Sequence, residues 1–112
     1  MKVVKTMDVS EIPNPHGVSV RALHASEHIQ VEHLLLRPGE ALKKHVASVD
    51  VYLYVLEGHG IVEIGDERQE VDVDTLVEIP AQAPYLLLNV GSVPFRVLNV
   101  KAPRPTIPTK VV

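Results

Sequence analysis

Nowhere along the chain does an apolar period of about 3.6 residues hold for three helical turns. What recurs is two-residue alternation in short runs, broken about every 8 to 12 residues by Gly, Pro, Asn or Asp. Val18 to Ala22 alternates in this way. Ile29 to Leu36 does so at first and then turns apolar on both faces at Leu34, Leu35 and Leu36. Val49 to Leu56 is a second two-sided apolar run. Val62 and Ile64 lead into a Gly65-Asp66 hairpin turn, after which Val71 and Val73 alternate with carboxylates. Leu76 to Ile79 is stopped by Pro80, and Tyr85 to Val90 and Phe95 to Val100 follow. Met1 to Val4 would add a short first strand. Eight or more such strands predict an all-β sandwich or barrel. The proline-rich tail from Ala102 to Val112 reads as an extended strap or an arm for a partner subunit.

Composition removes several classes of function. With 112 residues the chain is one domain, 1–112, with its barrel core at about 18–100. Its apolar runs fall far short of the ~20 residues that cross a bilayer, so no membrane partner is expected. No signal peptide is visible behind Met1-Lys2-Val3-Val4-Lys5, which makes cytoplasmic the expected location. A net charge of -3 without a basic stripe argues against nucleic acid. The absence of cysteine excludes disulfides, thiolate metal sites and a Cys nucleophile.

The most distinctive stretch is Arg37 to Gly60. A Pro38-Gly39 turn is followed by His45, then by Tyr54-Val55-Leu56-Glu57 running into Gly58-His59-Gly60. This resembles the first motif of the cupin family: Gly, five residues, His-x-His, a short gap, Glu, six residues, Gly. Gly39, His45 and Gly58 match it, whereas Ala47 stands at the second histidine and Val51 at the glutamate. Pro80 and Asn89 match the second motif, in which Asp74 and Gln82 replace two glycines and Tyr85 replaces the histidine. The likeness covers about Val18 to Val100 and implies a cupin-type jelly-roll barrel, or double-stranded β-helix.

The resemblance also implies a divalent transition metal held by three His and one Glu. Of those four positions only His45 keeps a ligand, so the usual site is largely lost. His33 and Asp50 are the candidate extra donors. His33 shares a face with Ile29 and Val31 by strict alternation, and Asp50 would turn inward only through a bulge. In the cupin register the pocket is lined by His45, Ala47, Val51, Leu53, Tyr85, Leu87 and Asn89.

An apolar cavity with a few converging polar groups suits a small organic ligand, with His45 and Tyr85 as hydrogen-bonding groups. The first reading is therefore a binding module with no cofactor or an unknown one, which if present would be a divalent transition metal. The second is a metal-dependent oxygenase or isomerase using non-standard ligands. The third is metal-free, epimerase-like catalysis by His45 and Tyr85; a filled, inactive barrel is the remaining alternative. Leu34, Leu36, Tyr52, Tyr54, Leu56, Leu86 and Leu88 make an opposite apolar face, from which a homodimer is expected.

Overall fold

The computed structural model describes residues 1–112. Ten strands are present: β1 Ser19–Ala25, β2 Gln30–Leu36, β3 Ala41–Val46, β4 Asp50–Glu57, β5 His59–Ile64, β6 Glu67–Asp72, β7 Leu76–Ile79, β8 Tyr85–Leu88, β9 Phe95–Ala102 and β10 Lys110–Val111. The only helical piece is a 3₁₀ turn at Thr6–Asp8, so no helix is long and apolar enough to cross a membrane. The strands form two five-stranded sheets, ordered β1-β2-β9-β4-β7 and β10-β3-β8-β5-β6, with antiparallel pairing throughout. This is the expected jelly-roll barrel.

Alternation decides what faces inward. On β9, Phe95, Val97, Asn99 and Lys101 are buried while Arg96, Leu98 and Val100 are only partly so. On β4 the inward set is Val51, Leu53 and Val55. These join Leu36, Leu42, Val62, Ile79, Tyr85 and Leu87 in one continuous apolar core between the sheets. Burial of such side chains, at about 25 cal/mol per Å² of apolar surface, is the main force holding the sheets together.

At one end the core is sealed by turns. Gly39 (φ +85°) donates its N–H to the Asn89 carbonyl at 3.0 Å, and Asn89 N–H bonds back to the Glu40 carbonyl at 3.0 Å. Gly58 (φ +77°) lies so close to the Pro94 carbonyl that no Cβ would fit. The two glycines of the first motif are thus explained by a positive φ and a close backbone approach.

Two expectations need correction, and an open one is decided. Met1–Val4 forms no strand and lies exposed. Leu34 and Leu36 do not lie on the outer face, because β2 turns them into the core and sets Val31, His33 and Leu35 outward. Of the two readings of the tail, the structure has the strap: Lys110 and Val111 pair with Val46 and His45 of β3 in the same chain.

Candidate ligand site at the open end of the barrel

Opposite the sealed end the inward pattern changes from apolar to polar. β2 ends its inward series at Glu32, and β9 ends its own at Asn99 and Lys101. Glu32 and Asn99 stand opposite each other in the ladder, and Asn99 Nδ2 donates to Glu32 Oε1 at 3.4 Å. From the second sheet, β3 brings His45 against Tyr85 of β8, with ring centroids 4.1 Å apart. The segment before β1 adds Ile12, Asn14 and His16, and the tail adds Thr109. Together they enclose a cavity of about 140 Å³ with Val20, Leu34 and Leu42 as its apolar wall.

The hydrogen bonds fix the protons in this cavity. His45 Nδ1 lies 2.6 Å from the Lys43 carbonyl, so it must carry hydrogen and donate. Nε2 is left as an acceptor. Burial lowers the pKa of His45 to about 4; the Lys43 carbonyl opposes that shift, and His16 and Lys101 add to it. His16 has the opposite tautomer, since its Nδ1 accepts from Lys43 N–H at 2.9 Å and Nε2 is then the donor. Its pKa is also lowered, mainly by burial and then by Lys43 and Lys101. The two rings meet edge-on, 4.9 Å between centroids.

Lys101 is 8 % exposed, and its Nζ donates to Thr109 Oγ1 at 3.1 Å. Tyr85 OH and Asn99 Oδ1 are buried without a partner. Burial, followed by the charge of Glu32, raises the Tyr85 phenol above its ordinary pKa.

The expected pocket residues divide. His45 lines the cavity. Ala47, Val51, Leu53, Tyr85 and Leu87 are packed into the core behind it. Asn89 is at the other end, where Nδ2 donates to the Leu36 and Val93 carbonyls (2.8 and 2.9 Å) and Oδ1 accepts from Gly91 N–H (3.0 Å). Its polar atoms are used to hold turns together.

Neither proposed extra donor reaches the site. Asp50 is exposed and accepts from Ala81 N–H at 2.8 Å. His33 is fully buried, but on the outward face of β2, where Nε2 accepts from Arg96 Nε–H at 3.0 Å. Glu32, Asn99, Lys101, His16 and Thr109 are site residues that the motif comparison misses. Alternation onward from Val97 on β9 marks Asn99 and Lys101, two polar residues continuing an inward apolar series.

A larger groove, about 390 Å³, opens between the edges of β6 and β7 over Val62, Ile64, Val71 and Val77. Its polar groups are exposed side chains such as Glu67, Gln69 and Glu78, with no converging base and donor. The smaller cavity is the one with organised chemistry.

A β-sandwich sealed by glycine turns at one end, with a polar mouth at the other, defines a small barrel of the jelly-roll class. The family described as "Cupin domain" matches residues 32–101, and the chain belongs to it. It is 36% identical over 62 residues to the uncharacterized protein MJ1618 of Methanocaldococcus jannaschii, covering 55% of this chain and 49% of that one. It is 32% identical over 79 residues to the tetracenomycin polyketide synthase protein TcmJ of Streptomyces glaucescens, covering 67% of this chain and 53% of TcmJ. The chain thus spans about half the length of these two curated relatives. Among solved structures it resembles TT1209 of Thermus thermophilus, with a TM-score of 0.80 and 30% identity over 94% of this chain and 100% of that one.

Proposed function

We propose that the chain is a ligand-binding cupin that holds a small organic molecule against His45 at the open end of the barrel, without a metal. The observation that carries this reading is the state of His45. Its Nδ1–H is tied to the Lys43 carbonyl, and burial keeps the ring neutral down to about pH 4, so Nε2 is a fixed acceptor at the cavity wall.

The donor set does not fit a divalent metal. His45 supplies one nitrogen, His16 is held as the Nε2–H tautomer by Lys43 N–H, Glu32 accepts from Asn99, Ala47 and Val51 supply nothing, and the Tyr85 phenol is held protonated by burial. Asp50 and His33 face elsewhere. No three His, Asp or Glu side chains are grouped for coordination, whereas a transition-metal site commonly uses at least three protein donors.

The cavity suits one ring or a chain of comparable bulk, since an apolar cavity of about 150 Å³ accepts benzene. The likeness to a polyketide synthase protein supports an oxygenated organic ligand. A thermal-shift screen of ring-sized compounds against wild type and His45→Ala tests the reading. Ligands should raise Tm by several degrees in the wild type and lose most of that effect in the variant. Hits indifferent to His45, or none at all, would sink it.

Catalysis is the second reading, favoured by the acceptor of His45 and the donor of His16 on neighbouring rings. An imidazole with a pKa near 4 is a weak general base at neutral pH, so binding ranks first. The proposed assembly is a homodimer through the outward face of the first sheet, where Tyr52, Tyr54 and Leu56 of β4 lie beside Leu98 of β9.

A further inference from the structure

We infer that the open-end cavity is a hydroxy-acid site: its ligand is a small monocarboxylate bearing a hydroxyl, with the carboxylate on Lys101 and the hydroxyl on Asn99. The inference rests on the ligand-binding reading above and narrows it to a chemical class.

Lys101 has an ammonium inside the barrel mouth whose one protein partner is the Thr109 hydroxyl. Every ion pair within 4.0 Å in the molecule lies elsewhere, so no carboxylate neutralises it at contact distance. A buried cation without a contact anion is costly, and a ligand carboxylate relieves that cost with a charge-assisted hydrogen bond. Two positions back on the same inward face, roughly 7 Å along the strand, Asn99 lines the same cavity and its Oδ1 is buried without a partner. Its Nδ2 is committed to Glu32, so the free atom is an acceptor and calls for a donor. A ligand hydroxyl supplies one.

Glu32 adds a negative term. Its carboxylate stands across the ladder from Asn99 and repels a second ligand carboxylate, so dicarboxylates are disfavoured. His45 Nε2 remains to accept from any further hydroxyl.

The test is calorimetric titration of the full chain at pH 7.5 with benzoate, 2- and 3-hydroxybenzoate, phthalate, benzamide and benzyl alcohol. A hydroxybenzoate should bind at least about tenfold tighter than benzoate, and benzoate tighter than benzamide, with phthalate weakest of the acids. Lys101→Met should weaken the acids by about ten- to a hundredfold, and weaken benzyl alcohol by far less. Asn99→Ala should erase the advantage of hydroxybenzoate over benzoate. Neutral compounds that bind as well as the acids, or acids that still bind Lys101→Met, would overturn the hydroxy-acid assignment while leaving the pocket itself in place. An absence of binding by every acid would also overturn it, and the neutral compounds and the His45-dependent screen judge the broader reading separately. Should Lys101→Met fail to fold, the acid-against-amide ranking in the wild type decides.

Discussion

His45 and His33 both have a pKa near 4, lowered chiefly by burial, yet one lines a cavity and the other is locked under Arg96. Arg96 and then Arg21 add to the shift at His33. In the unfolded chain each ring titrates near 6.5. Between about pH 6.5 and 4 the unfolded state therefore binds more protons, and stability must fall as the pH drops through that window. Above pH 7 these two groups make stability neither rise nor fall. Urea denaturation at pH 7.5 and pH 5 should differ by on the order of 3–4 kcal/mol for the two rings together, and His45→Gln should remove about half of the difference. Equal stability at the two pH values would contradict the assignment.

Gln82 and Tyr85 give two further residue-scale predictions. Gln82 takes φ +67° where the family pattern has glycine, and its N–H bonds the Ala47 carbonyl at 2.9 Å. A side chain in that region carries strain of roughly 1 kcal/mol, so Gln82→Gly should be neutral or stabilising by up to about that amount. The backbone keeps a glycine-like form without the glycine. Tyr85→Phe removes a buried hydroxyl that has no partner, and the fold should gain or keep stability within about 1 kcal/mol. A loss of about 2 kcal/mol or more in denaturant titration would mean that the hydroxyl is satisfied.

At the scale of elements, β3 and β10 govern the site. β3 is the strand least legible in the sequence. Ala41-Leu42-Lys43-Lys44-His45-Val46 breaks alternation because the pairing with β8 shifts between Leu42 and His45. That irregularity puts Leu42 and His45 on one face although they are three positions apart. The inward face of β2 escapes the sequence pattern for a related reason: a run apolar on both sides offers no contrast by which to choose the core. By contrast β7 is bounded by Pro80 and matches its predicted limits, Leu76–Ile79. β10 pairs with Val46 and His45 and carries Thr109 to Lys101. A chain ending at Ala102 should open the cavity, and by NMR titration His45 should move up from about 4 toward its ordinary value. An unchanged titration would show that the tail does not cover the ring.

At the scale of the whole molecule, the motif glycines and alternating strands are enough to specify the barrel. The location of the candidate site is less legible. It depends on where inward runs turn polar and on which segments close the mouth, and both are products of tertiary pairing. The outer face of the first sheet bears Tyr54 at 39% exposure beside Tyr52 and Leu56. Light scattering should report a dimer at micromolar concentration, and Tyr54→Lys should shift it toward monomer; a clean wild-type monomer would refute this assembly.

His45 is proposed to serve an organic ligand and not a working metal centre. Elemental analysis of untagged protein purified without chelator, beside His45→Ala, tests this most directly. The account predicts manganese, iron, nickel and zinc well below one atom per chain in both proteins. Near-stoichiometric metal in the wild type that disappears with His45 would contradict it.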